Sequence, residues 1–145
     1  MTGSQPDLPR HSVSVSAAII DDRGRFLATQ RVDNGHWEPP GGVLELAESI
    51  PEGLVREVQE ETGYDVELGR LLGVDTLVVT PEERTVDRDR FYKGVRVIFE
   101  ATVVGGRLRN EVDGTTDEAR WFPLSEVPAL EKVDLVEIGL RMRTA

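Results

Sequence analysis

The sequence predicts an α+β domain in which a mixed β-sheet packs with at least two helices. Three observations carry that reading. The stretch from His11 alternates, with Val13, Val15, Ala17 and Ile19 on one face and Ser12, Ser14 and Ser16 on the other, the period of a half-buried strand. A second long alternation, Val95, Val97, Phe99, Ala101 and Val103, ends at Gly105-Gly106. Between them lies a segment with helical spacing and matched caps at its two ends.

Each element follows from local chemistry. Residues 1–11 are rich in proline and polar side chains and are expected to form a loose tail ahead of one domain over 12–145. Asp21-Asp22-Arg23-Gly24 is a turn, and Phe26 to Val32 reads as the returning strand of a hairpin. DNGHWEPPGG (33–42) reads as a loop. Ser49 then offers an N-cap with Glu52 at capping-box spacing, and Pro51 sits in the first turn, where a missing N–H is tolerated. The helix should run to Thr62 and stop at Gly63 in a left-handed cap. Val66 to Val79 suggests one or two strands, and PEERTVDRDRFYKG (81–94) a charged loop. Ala119 to Leu124 is a short strand, and Val133, Val136 and Leu140 mark a final helix.

Composition limits the function classes. The chain has 145 residues and a net charge of −10, which argues against a nucleic-acid partner, whose protein footprint is basic. No apolar run is long enough to span a bilayer, so no membrane partner is expected. The absence of cysteine removes disulfides, thiolate zinc sites and a cysteine nucleophile, and fits a cytoplasmic location. With two histidines, any metal site would use oxygen ligands.

The capped helix carries the chemistry. Ile50, Leu54, Val55 and Val58 form its apolar stripe, while Glu57, Glu60 and Glu61 fall at i, i+3 and i+4 on one side. Like charges so placed destabilise a helix by ~0.2–0.5 kcal/mol per pair. They also face the negative end of the helix dipole. Arg56 can pair with Glu60, yet the surplus remains, and either a solvated face or a site for hard divalent cations would account for it. Gly53, one turn before Glu57, costs about 1 kcal/mol against alanine inside a helix and permits a close approach there.

Gly42, Glu48, Arg56-Glu57-Val58, Glu60-Glu61 and Gly63-Tyr64 stand at the spacing of the Nudix box, G-x5-E-x7-R-E-U-x-E-E-x-G-U, which this segment resembles closely. All seven invariant residues are present, and Tyr64 stands where the pattern has an aliphatic residue. Pro40-Gly41-Gly42 ahead of the box, Trp37, and RWFPLSEVP (120–128) extend the similarity over roughly residues 13–128. The resemblance implies the Nudix α/β/α sandwich, with a loop–helix–loop set against a mixed β-sheet and a C-terminal helix.

The resemblance further implies a small-molecule nucleotide substrate and hydrolysis of a nucleoside diphosphate linked to another moiety. Glu57, Glu60 and Glu61 would hold Mg²⁺ or Mn²⁺ with the Gly41 carbonyl, and Glu48 and Arg56 would orient them. Glu57 is the first candidate for the base. Many relatives use a loop glutamate where this chain has Thr115, so Glu111, Asp113, Asp117 and Glu118 are candidates to replace it, with Asp117 preferred. Arg31 would reach substrate phosphate, and Trp37, Phe91 or Tyr92 could stack on a base, while His36 has no expected ligand role. Pro81 lies near a proline typical of ADP-ribose-type members, and a nucleoside triphosphate is the equal alternative. A regulatory module that senses a nucleotide without hydrolysing it is the other class, although such a module would usually have lost box glutamates. Homodimers are frequent among similar proteins, and the sequence does not decide oligomeric state.

Overall fold

The computed structural model describes residues 9–84, 88 and 90–145. Its strands are β1 (Arg10–Ile19), β2 (Arg25–Arg31), β3 (Trp37–Glu38), β4 (Gly41–Val43), β5 (Tyr64–Val79), β6 (Tyr92–Gly106) and β7 (Thr116–Pro123). Helix α1 spans Ile50–Thr62 and α2 Asp134–Thr144, with 3₁₀ turns at Pro81–Glu83 and Leu124–Ala129. Four strands form a mixed sheet in the order β4-β1-β6-β5, where β1 and β6 run parallel. The other three form an antiparallel sheet in the order β3-β2-β7.

Helix α1 buries Leu54 and Val58 against Val15, Ala17, Val66 and Val97 on one face of the mixed sheet. Helix α2 covers the opposite face, where Gly139 meets Ile98 and Met142 crosses Gly73. Val136 of α2 joins a second core with Phe26, Ala28, Trp37 and Phe122 of the smaller sheet. A helix lies on each side of the mixed sheet, the layering expected from the sequence. No described helix is long and apolar enough to cross a membrane.

Three expectations are corrected. The hairpin of β1 and β2 has its turn, with Asp21 N–H donating to Arg25 O at 3.0 Å, but only Ile20 and Phe26 pair across it. The strands then part into different sheets, because β1 is buried on both faces from Val15 to Ile19 and needs a layer on each side. The loop over 33–42 contains β3 and leads into β4, which begins at Gly41. Strand β1 starts at Arg10, inside the stretch expected to be tail, since β6 pairs with it from Tyr92 onward. Residues 1–8 of that tail, and 85–87 and 89 of the charged loop, lie outside the described residues.

Candidate active site

The helix boundaries were legible locally. Ser49 Oγ accepts from Glu52 N–H at 3.2 Å, and the Glu52 carboxylate accepts from Ser49 N–H at 3.0 Å. Gly63, with φ of 81°, ends the helix and donates to Gln59 O at 2.9 Å. The departing chain explains Tyr64 in place of an aliphatic residue: its hydroxyl accepts from Trp121 Nε1 at 3.0 Å.

Glycines bring backbone onto this helix. A Cβ at Gly53 would lie 2.4 Å from Leu44 Cδ2 and 3.0 Å from Glu48 Oε1, so the missing side chain admits the preceding loop. A Cβ at Gly42 would lie 2.7 Å from the Glu57 carboxyl carbon. At Gly41 it would meet Val15 O at 2.0 Å, because β4 is pressed edge-on to β1. The glycine pair thus sets the edge of the mixed sheet directly beside the helix carboxylates.

Arg56 organises the polar side of α1. Its Nε and Nη2 donate to the two oxygens of Glu48 at 2.5 and 2.8 Å, and Nη1 reaches Glu60 at 3.1 Å. Nη2 also stands 3.1 Å from Glu57. Hydrogen bonds from this guanidinium, with one from Glu45 N–H, pull the Glu48 carboxyl down to about 2. Glu60 stays largely exposed, while Glu61, 2% exposed, lies under the sheet edge and accepts from Gly41 N–H at 2.9 Å. Burial pushes Glu61 up to about 9, against the lowering effect of that hydrogen bond, and the charges of Glu57, Glu38 and Glu111 add to the rise. Burial likewise raises Glu57, with the neighbouring Arg56 opposing it.

A cleft of about 830 Å³ opens beside these carboxylates, and Glu57, Gly41 and Gly42 form part of its wall. Arg31 lines it from β2, at a bulge that opposes it to Thr116 of β7. Its guanidinium donates to both oxygens of Asp33 at 2.9 and 2.6 Å and to Glu38 at 3.2 Å. Gly114 and Thr115 also line the cleft, and Glu111 packs behind them against Gly114. The Glu111 carboxylate accepts from Thr116 N–H and Oγ1 at 3.2 and 2.9 Å, with Gly114 passing so close that a Cβ would lie 2.0 Å away.

The other anticipated residues divide. Asp117 is exposed and outside the cleft wall, and Glu118 is tied to Arg120 at 2.7 Å. Trp37 is 8% exposed, packed edge-on to Phe122 at 4.8 Å, with the Arg120 guanidinium 5.4 Å from its ring, and does not reach the cleft. Phe91 is exposed, whereas Tyr92 lines the cleft and hydrogen-bonds to Ser12. His36 serves through its backbone, as its carbonyl accepts from Arg31 N–H.

The donor set suits a hard divalent cation. Glu57 and Glu61 are adjacent carboxylates raised by burial, with Arg56 opposing the rise at Glu57 and the charges of Glu57, Glu38 and Glu111 adding to it at Glu61. Among the described residues no three acidic or histidine side chains converge as they stand to hold one ion, and Glu60 is turned toward Arg56. The set has the right chemistry, and closing around an ion would require side-chain rotation.

A family model described as NUDIX domain matches residues 10–139. The chain belongs to the NUDIX family. It is 32% identical over 123 residues to an ADP-ribose pyrophosphatase of Methanocaldococcus jannaschii, covering 83% of this chain and 67% of that protein. It is 31% identical over 138 residues to a human 8-oxo-dGDP phosphatase, covering 89% of this chain and 39% of the relative. A MutT-like protein of Streptomyces ambofaciens is 56% identical over 66 residues, 46% of this chain and 43% of its own length. The chain thus spans less than half of two of these relatives. Among solved structures, a NUDIX hydrolase from Nitrosomonas europaea superposes with a TM-score of 0.77 at 25% identity, over 93% of this chain and 89% of its own.

The NUDIX fold contains two site features that the sequence did not single out. Glu38 stands near Glu61 but is preceded by no box-like spacing, so only the β2–β3 pairing could reveal it. Arg96 and Asp134 line the cleft, and Arg96 ties Asp134 to Asp75, so three separate elements meet there.

Proposed function

We propose that this NUDIX domain is a divalent-metal-dependent hydrolase that cleaves the diphosphate linkage of a nucleoside diphosphate joined to another group. The observation that carries this reading is the pairing of half-buried Glu57 and buried Glu61 beside Gly41-Gly42, at the mouth of a nucleotide-sized cleft. Bound Mg²⁺ or Mn²⁺ would neutralise diphosphate oxygens and acidify an attacking water. Glu57, Glu60, Glu61 and the Gly41 carbonyl are the groups to hold it.

Glu48 clamps Arg56, and Arg56 in turn reaches both Glu57 and Glu60, so the pair fixes where those carboxylates point. Glu57 is the base we favour. Its carboxyl is raised by burial, which makes it a better proton acceptor than an exposed glutamate. Water oxygen bonds to one phosphorus, its proton passes to the Glu57 carboxylate, and the bridging P–O bond breaks to release the other phosphate. As the loop acid standing in for the usual glutamate, Glu111 is favoured over Asp117, because its anchored carboxylate acts on Glu57 and Glu61 while Asp117 faces solvent. Arg31, on the same cleft, is the candidate contact for substrate phosphate.

A nucleoside triphosphate or an ADP-ribose-like nucleotide sugar fits this chemistry, and the names of the relatives include an ADP-ribose pyrophosphatase and a putative 8-oxo-dGTP diphosphatase. The absence of cysteine supports a cytoplasmic setting. Mg²⁺-dependent release of phosphate or nucleoside monophosphate from a substrate panel tests the proposal. Turnover that disappears in Glu57→Gln and Glu61→Gln is expected. A wild type as inert as Glu61→Gln on every substrate would instead leave a nucleotide-sensing module.

A further inference from the structure

Three serines of β1, Ser12, Ser14 and Ser16, alternate with Val15 and Ala17, which pack toward α1, and so share the opposite face of the mixed sheet. The Ser12 hydroxyl is bonded to that of Tyr92. Ser14 and Ser16 line the cleft. Ser16 pairs with Gly41 of β4, whose N–H holds Glu61, and is only 6% exposed.

Among the described residues no group hydrogen-bonds to the Ser16 hydroxyl. No fully sealed side-chain oxygen or nitrogen among those residues lacks a partner, so this hydroxyl is not sealed, and the cleft is where it opens. Gly41 keeps it open, since a Cβ there would lie 3.0 Å from Ser16 Oγ. Along the strand its neighbours Val15, Ala17, Ala18 and Ile19 are buried and apolar. A hydroxyl set so deep without a partner disfavours the fold. Ala17 and Ala18 show that alanine packs at this level of the strand.

We propose that Ser16 contacts the substrate directly, its hydroxyl donating to an oxygen of the diphosphate. Glu38 and Glu57 line the cleft with it, so acceptors dominate its surroundings. A diphosphate held there needs donors as well as a cation to meet its charge. Arg31, the charged donor on the same wall, already gives its fork to Asp33 and a further N–H to Glu38. Ser16 supplies a neutral donor for which no described protein group competes. Carboxylate and carbonyl oxygens serve Mg²⁺ better than a neutral hydroxyl does, so the anion and not the ion is its partner. This inference rests on the hydrolase reading for the presence of a diphosphate, but the contact can be measured without turnover.

Methylenediphosphonate keeps two charged phosphorus groups but joins them through carbon, so it binds without being cleaved. Calorimetric titration of the full chain in saturating Mg²⁺ should show it bound roughly tenfold more weakly, or worse, by Ser16→Ala than by wild type. Ser16→Cys, whose thiol fills the space but donates poorly, should lose as much. Affinity for Mg²⁺ alone should stay within about twofold in both variants. In chelator, Ser16→Ala should melt at or above the wild-type temperature, because an unpartnered hydroxyl has been removed. Equal diphosphonate binding by wild type and both variants overturns the proposal, as does a wild type that binds none. A loss of Mg²⁺ affinity as large as the loss of diphosphonate affinity also overturns it, as do melting points lowered by several degrees in both variants. Weakened diphosphonate binding in the variants of a protein that hydrolyses no nucleotide would keep this inference and reject the hydrolase. Nucleotide hydrolysis with diphosphonate binding equal in all three proteins would do the reverse.

Discussion

The backbone N–H of Gly41 donates to Oε1 of Glu61 at 2.9 Å, tying the edge of the mixed sheet to the last turn of α1. It joins positions 20 residues apart and gives a buried carboxylate its one direct hydrogen bond among the described contacts. The bond fixes Glu61 in a place where its charge is disfavoured, and that conflict leads to the first expectation.

Glu61→Gln should stabilise the metal-free protein by about 1–3 kcal/mol at neutral pH, since the amide oxygen can still accept from Gly41 while folding no longer has to protonate a carboxyl that is ionised in the unfolded chain. The same variant should lose most of the stabilisation that saturating Mg²⁺ confers on wild type, of the order of 2.7 kcal/mol at a hundredfold excess over Kd. Thermal melts with Mg²⁺ and with chelator check both halves. Equal Mg²⁺ stabilisation of the two proteins would remove Glu61 from the ion site.

The Glu48–Arg56 pair has its own pH signature. The folded carboxyl is depressed to about 2 from an ordinary 4.5. Its contribution to stability is therefore full above about pH 4.5 and is lost as pH falls through the interval down to about 2. Glu48→Gln should flatten this part of an acid-unfolding curve while changing the midpoint at pH 7 in the same destabilising direction. An unchanged slope in that interval would show that the pair contributes nothing measurable.

Neighbouring glycines should respond differently to alanine. At Gly42 the added Cβ meets the end of the Glu57 side chain, which can rotate away, so stability should fall by only about 1 kcal/mol. Turnover should fall by about 10²-fold or more, because Glu57 is displaced. At Gly41 the Cβ meets the Val15 carbonyl, which cannot move without breaking the β1–β4 pairing, and the loss should exceed about 3 kcal/mol. Denaturant melts and initial rates separate the two effects.

Two acidic residues named as alternatives from sequence should also separate. Glu111→Gln should lower kcat by about tenfold or more, while Asp117→Asn should stay within about twofold. The basis is position: Glu111 is anchored by Thr116 beside the cleft, and Asp117 faces solvent. Steady-state kinetics with any accepted nucleotide is the check, and the reverse ranking would restore Asp117.

What could be read along the chain was what local chemistry decides. The capping box at Ser49 and Glu52, the stop at Gly63 and the spacing of Glu57, Glu60 and Glu61 depend on residues within a turn or two, and the structure has α1 over Ile50–Thr62. Strand identity along β6 was also legible, because alternation is local. Sheet order was not: the turn at Asp21–Gly24 looks the same whether its strands stay paired or part, and burial of β1 on both faces parts them. Trp37 and Asp117 had the right residue types for their expected roles, yet Trp37 went to the core with Phe122 and Asp117 to solvent.

By itself, the sequence determined the carboxylate-rich helix and the NUDIX membership it signals. Only the tertiary structure decided that Glu61 is buried under Gly41 while Glu60 is not, that Glu111 lies beside the cleft, and that Arg96 joins Asp75 to Asp134. The division has one physical cause. Helix caps and periodicity act over a few residues, whereas burial, charge pairing and cleft shape depend on groups that are distant in the chain and meet only when the layers close.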